Sequence, residues 1–429
     1  MSNIIYLEAK GKADQVQINS AFDQLEDSSY DTIYLKSGKY ILSDQILTTN
    51  SFTLTGDPDA VLTVDTSFLW NSTVPIIKQA SAKESSENKI TISGFTIDGQ
   101  ADVLNSKYAE SKGVKELRGD GYYNLIDLYY GAITVSGMTL KNSLGDGLIS
   151  RYANVNFLNN TVFNLGHDVL YAKKCYSVEE AGNKIKTMTN SGGRIANSNN
   201  IKIHDNEIYT EYGPDAGGPG LQIQRDSSST MNNIEIYNNN IHDTYGPGIW
   251  LIAYKTAYSK EQASNVHIHD NKFSGCGTHP SYTWAGGIVT SGFYDTLIEN
   301  NVFDGCYGSG ILYYYYDSGL KPTGTSGKYN TIIKNNVIKN TVKRKGGAGA
   351  AETGQAISNR MPSEATFKID SNYIFDNIGG AYLNCSSTTD IYHAPVIQEQ
   401  EAFLMLSCNE AELIQIKEKY PEKTILRRA

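Results

Sequence analysis

A short segment with an asparagine at its fixed point recurs along most of this 429-residue chain, and self-similarity at a short period confines a chain to few architectures. The template is apolar, two variable residues, Asn, one variable residue, apolar. It reads FLNNTVF at Asn160, IHDNEIY at Asn206, IYNNNIH at Asn239 and IHDNKFS at Asn271. LIENNVF at Asn301, IIKNNVI at Asn336 and KIDSNYIF at Asn372 continue it, and SVEEAGNKI supplies a weaker copy at Asn183. Gly137 in TVSGMTL and Gly94 in TISGFTI take the corresponding place in earlier copies. Counted from Gly137 the spacings are 23, 23, 23, 33, 32, 30, 35 and 36, a common short period with later insertions. That period is too short for a propeller blade, and no helical apolar stripe accompanies it, so blades and paired helices are disfavoured. It suits one coil of a parallel β-helix.

In such a solenoid each coil adds a strand to two or three parallel sheets, and inward side chains of successive coils stack into one core. An Asn at a fixed corner bonds the Asn of the next coil and satisfies turn backbone groups, so the eight repeated asparagines read as structural. The expected fold is all-β, a single-stranded right-handed parallel β-helix over residues 1–393 with a cap at each end. ADQVQINSAFDQL reads as a short N-terminal capping helix, with Asp14 as N-cap and Val16, Ile18, Phe22 and Leu25 as its apolar positions. Residues 394–429 are charged and helix-favouring and read as a C-terminal cap or small appended element.

A net charge of −9 and a pI near 5.4 argue against a nucleic-acid partner, which needs a basic face. Abundant Tyr (30) and Gly (39) fit strands, tight turns and sugar-stacking surfaces. Cys175, Cys276, Cys306, Cys385 and Cys408 lie far apart without zinc spacing and read as buried free thiols. His204, His242, His267 and His269 fall in the repeated strand and read as surface or turn residues, with no metal cluster expected. No apolar run reaches membrane-spanning length, and MSNIIYLEAK lacks a secretion-signal pattern. The expected location is extracellular or at a cell surface, with a signal removed, or alternatively a viral particle.

Three neighbouring coils read SLGDGLISR, NLGHDVLYA and TNSGGRIAN. Aligned on the repeat, they stack Asp146 beside Asp168, with His167 adjacent and Arg194 one coil on. Strands one coil apart lie ~4.8 Å apart, so outward carboxylates there would sit at roughly 5 to 8 Å, spanning both classes of glycosidase. Mutual repulsion raises the pKa of one acid of such a pair, leaving acid and base roles, while His167 tunes them and Arg194 and Arg151 hold substrate charge. Asp in a Gly-rich turn is also a common solvated turn-former. Asn190, Glu211 and Asp215 in the adjoining loops, and the aromatics Tyr122, Trp250 and Trp284, are the expected sugar contacts, with core packing the competing role for Trp250.

LGDGL, LGHDVLYA, TNSGGRI, AGGPGLQIQ, IHDTYGPGIWL and GGIVTSGFYDTLIENNVFDG together resemble the β-helix region of disaggregatase-type proteins of methanogenic archaea, from about Tyr122 to Tyr316. The broader resemblance is to the pectate lyase and polygalacturonase superfamily. It implies action on a chondroitin-like or uronate- and amino-sugar-containing polymer, with Asp146 and Asp168 as acid and base, His167 as helper and Arg194 as substrate ligand. Gly166-His167 is followed here by Asp168, and no NTD or RIK string occurs. The leading expectation is a glycoside hydrolase. A lyase acting by β-elimination and a non-catalytic glycan-binding spike are the alternatives. No cofactor is expected, calcium alone being left open, and the chain is expected as a monomer or homotrimer.

Overall fold

The computed structural model describes residues 3–27, 30–85, 87–112, 119, 121–187, 190–210, 218–226, 229–253, 260–279, 285–314, 329–343 and 354–385, with short strands at 392–393, 404–406 and 425–427. Every strand pairing among the described residues is parallel, for instance Ala263–His269 with Met231–Tyr237 on one side and Tyr294–Glu299 on the other. The chain is a right-handed parallel β-helix, and three strands make up a coil. The first sheet contains segments such as Ser177–Ala181 and Ile201–His204, which lead into the Asn corner. The second follows that corner, as in Thr161–Leu165 and Lys184–Thr187. The third contains Leu170–Lys173, Gly193–Ala196, Leu221–Arg225 and Ile249–Ala253, and returns the chain to the first. First and third sheets merge into one 23-stranded sheet because Ile126–Ser136 and Leu148–Leu158 run through their shared corner unbroken. The bend falls at Tyr130 and Tyr152, whose φ values of 60° and 56° lie in the left-handed region.

Alternation sends every second residue of a strand inward. One inward column of the first sheet runs Val135, Phe157, Glu180, Ile203, Ile236, Ile268, Ile298, Ile333 and Ile369, aliphatic or aromatic but for a single carboxyl. Cys175, Cys276 and Cys306 are buried free thiols and Cys385 is half-buried.

The Asn ladder runs unbroken from Asn160 to Asn372. The residue before each Asn has positive φ, as at Asn159, Gly182, Asp205 and Asp270, which explains Gly, Asn and Asp there. Gly137 (φ 61°) and Gly94 (φ 84°) occupy that left-handed position, one residue before the rung, so Met138 rather than Gly137 aligns with Asn160. Asn239 accepts the backbone N–H of Asn206 (3.1 Å) and donates to the carbonyls of Ile203 (2.9 Å) and Tyr237 (3.0 Å). Replacing it with Ala would orphan the Asn206 N–H and take a donor from both carbonyls, and Asn239→Ala is expected to lose roughly 2–4 kcal/mol, read as a drop in thermal midpoint.

The N-terminal helix spans Gln15–Asp27 and buries Ile18, Ala21, Phe22 and Leu25 over the first coils, Phe22 meeting Phe52 edge-on at 5.0 Å. Two details differ from expectation. Val16 is exposed, and Asp14 caps no helical N–H but accepts those of Lys10, Gly11 and Ile41. A second helix, Ala101–Lys112, is an insertion that the repeat does not foretell. Beyond His393 the described residues are two short strands, Leu404–Leu406 and Ile425–Arg427, paired in parallel; the rest of the expected C-terminal cap lies outside the described residues.

Candidate active site

The corner between the second and third sheets gathers the residues singled out above. Glycines let its turns stack at backbone contact: a Cβ on Gly166 would lie 2.1 Å from the carbonyl oxygen of Leu144 one coil away. Along this corner runs a second side-chain ladder. Asn124 Oδ1 accepts the backbone N–H of Asp146 (2.9 Å), Asp146 Oδ1 accepts that of Asp168 (2.7 Å), and Asp168 Oδ1 accepts that of Ser191 (3.1 Å) together with its hydroxyl. Asp146 and Asp168 are therefore 1% and 0% exposed. The expectation of outward, solvent-facing carboxylates is corrected, because the same oxygens that would face a sugar are occupied by turn amides.

An amide serves the ladder, as Asn124 does, whereas a buried carboxylate carries a desolvation cost. The compensation for that cost is cationic. His167 Nδ1 lies 2.7 Å from Asp146 Oδ1 and 3.2 Å from Asp168 Oδ2, and Arg194 approaches Asp168 Oδ2 at 3.5 Å. Burial disfavours a charged imidazole, but Asp168 and Asp146 outweigh it and push His167 up to about 9. Burial, with Asp168 adding to it, raises the Asp146 carboxyl above its ordinary value. His167 thus keeps its proton at neutral pH, with Nδ1 against Asp146. The far ring nitrogen, Nε2, meets the Asn190 amide at 3.1 Å. Donor atoms of Asp146, His167 and Asp168 lie within 4.8 Å of one another. Two carboxylates and an imidazole suit a transition-metal ion better than calcium, which takes about six to eight oxygens.

The cluster opens onto the outer face of the third sheet. There Asp127, Ile149, Tyr171, Arg194, Gln222, Trp250, Val289 and Leu312 stand in one column. The Arg194 guanidinium stacks on Tyr171 at 4.7 Å. Arg151 shares this face, bonded to the Tyr129 hydroxyl at 2.6 Å and paired with Asp127 at 3.3 Å. Trp250 packs here with Ile252, Val289 and Leu312, on the outside of the sheet rather than in the central core. Tyr122, by contrast, packs against the core. Glu211, Asp215 and Trp284 lie outside the described residues. Sequence reasoning missed Tyr171, Ser191 and the polar chain Gln222, Gln224, Asp226 and Asn197, although LQIQR alternates in the strand manner that marks Gln222 and Gln224 as outward. The connections containing residues 211–217, 254–259, 280–284, 315–328 and 344–353 all adjoin strands of this sheet.

Fold and corner together define a right-handed parallel β-helix with a buried carboxylate–imidazole cluster under one outer sheet face. Residues 231–408 match the family described as "Disaggregatase related", and residues 124–258 match "Right handed beta helix region". The likeness to disaggregatase-type β-helix proteins thus holds over that span. No curated protein matches the chain. Among solved structures, the A-module of the mannuronan C-5 epimerase AlgE6 from Azotobacter vinelandii is similar with a TM-score of 0.64 at 17% identity, covering 89% of this chain and 94% of that one. The catalytic domain of a GH87 alpha-1,3-glucanase in complex with nigerose is similar with a TM-score of 0.54 at 12% identity, covering 90% and 69%. At these identities the likeness shows the fold.

Proposed function

We propose that the chain is a polysaccharide-cleaving enzyme, a glycoside hydrolase acting on a uronate- or amino-sugar-containing polymer laid along the outer face of the third sheet. One observation carries this reading: acids stand at two ladder rungs where an amide suffices, and both hold the His167 imidazole beside Arg194. The two similar solved structures, an epimerase named for mannuronan and a glucanase holding nigerose, support it as fold-mates.

With both carboxyls buried, His167 is the group that touches substrate. Its Nε2 gives a proton to the glycosidic oxygen as the C–O bond breaks, and the Asp146–Asp168 pair orients the ring and keeps the proton on Nδ1. Water adds to the anomeric carbon and returns a proton to Nε2, so each cut consumes one water. Arg194 and Arg151 hold substrate carboxylate or sulfate, and the Tyr171 and Trp250 patches flank the polar strip as sugar platforms.

The cationic Arg194 and Arg151 on one face favour a second reading, β-elimination from a uronate. Incubation of the full chain with a glycan panel, chondroitin-like polymers first, separates the two. Hydrolysis is expected, giving products that carry one added water per cut and no new ultraviolet absorbance. Unsaturated, absorbing products would replace hydrolysis by elimination, and binding without any shortening of the polymer would overturn the enzyme reading.

A further inference from the structure

We propose that Glu235, His267 and His269 form a binding site for a divalent transition-metal ion on the outer face of the first sheet, apart from the proposed substrate face of the third. Glu235 and His267 are register partners on adjacent strands, and His269 is two residues further along the same face. One donor atom from each lies within 4.8 Å of the others. The His269 Nε2 to Glu235 Oε1 separation is 3.5 Å, close to the ~3.4 Å between neighbouring donors around a tetrahedral zinc with ~2.0–2.1 Å bonds.

Orientation of the rings is the second observation. Histidines that ligate a metal hand their other ring nitrogen to a carboxylate, which fixes the tautomer and frees one lone pair. Both rings do this here. His269 Nδ1 lies 2.7 Å from Asp270 Oδ2, and His267 Nε2 lies 2.8 Å from Glu299 Oε1. His269 Nε2 is left buried and without a hydrogen-bond partner, aimed toward Glu235. Tyr237 stacks flat on His269 at 5.2 Å and 4°, and the His267 ring lies 4.0 Å away on the same strand, so the ligands are packed in place.

The repeat supplies an internal control. Two coils earlier, His204 has the same pairing, Nδ1 on Asp205 at 2.7 Å and Nε2 on Glu179 at 3.3 Å. There the residue aligned with His267 is Lys202, a cation that repels a metal. Only the later copy offers two imidazoles and a carboxylate, a set suited to zinc, copper or nickel rather than magnesium or calcium. The ion would staple the coil of Met231–Tyr237 to that of Ala263–His269, with Glu299 reaching in from the next.

Zinc titration of the metal-stripped full chain against a chromophoric indicator tests this, with Co²⁺ absorption as a readout of tetrahedral nitrogen and oxygen ligation. One equivalent is expected at this site, with His267→Ala, His269→Ala and Glu235→Gln each weakening it at least tenfold and His204→Ala leaving it unchanged. His167→Ala distinguishes the catalytic corner, whose three donors also lie close together. Retention of the equivalent in His167→Ala supports the assignment. Its loss there, or unchanged uptake by the His267→Ala/His269→Ala double variant, overturns it. Glu235, His267, His269 and His204 are on a sheet surface, and the far-ultraviolet dichroism of all the variants verifies their fold.

Discussion

Asp168→Asn protein is expected to melt within a few degrees of wild type and to lose roughly 10²–10⁴-fold in turnover, the range that general acid–base catalysis contributes. The amide keeps an oxygen to accept the Ser191 N–H and hydroxyl that Asp168 accepts now. Asn124 already fills the preceding rung in that way. What the amide loses is charge. Asp168 is the largest influence opposing the burial of a charged His167, and it also holds Arg194 at 3.5 Å. The His167 proton is therefore released nearer the ordinary histidine range, and the alkaline limb of the pH–rate profile moves down from about 9. Asp168→Ala behaves differently: it orphans a buried N–H and hydroxyl and is expected to lose about 1–3 kcal/mol as well as activity. Initial rates and thermal midpoints of the two variants give the answer. Full turnover by the Asn variant would remove the carboxyl from the chemistry, and failure of the Asn variant to fold would make the rung purely structural.

The coil and its register were legible because a parallel ladder forces equivalent residues into line, so aligning the Asn copies also brought Asp146, Asp168 and Arg194 to one corner. Which way the acids point was not legible. The corner residues sit in Gly-rich turns, where period-2 alternation lapses, and only the backbone amides of the next coil decide that Asp146 and Asp168 turn inward. The same lapse explains the one-residue offset at Gly137 and Gly94, since a positive-φ glycine and a ladder Asn both read as corner punctuation. Tyr130 and Tyr152 at left-handed corners oppose local preference and follow from the two unbroken strands they join. Where alternation does hold, a signal was present. In SVEEA two consecutive glutamates on a strand must point to opposite faces, so one of them has to enter the core.

That residue is Glu180, and the protein is expected to lose stability between about pH 5 and pH 8 because of it. Its side chain is fully buried in the column between Phe157 and Ile203, and neither carboxyl oxygen has a hydrogen-bond partner. Space for it exists because residue 193 is glycine: a Cβ there would lie 2.2 Å from Glu180 Oε2. With nothing to hold the charge, burial raises the acid from 4.5 to about 8. The folded state then binds a proton that the unfolded chain has released, so stability present below pH 4.5 declines as pH rises and levels off near 8. At about 1.36 kcal/mol per pH unit the span is on the order of 5 kcal/mol. Glu180→Met fills the same volume without a titrating group, so its thermal midpoint should exceed that of wild type at pH 8–9 and lose most of the slope below it. A smaller slope persists in both proteins, because His167 also binds a proton more tightly when folded and gives up that stability between its ordinary value and about 9. Gly193→Ala acts in the opposite direction, driving a methyl into the carboxyl and lowering the midpoint, and the Glu180→Met/Gly193→Ala double variant should not recover as the sum of the two, since the side chains compete for one space. Parallel pH slopes for wild type and Glu180→Met would mean that water or a cation reaches the carboxyl, and the neutral buried acid would be withdrawn.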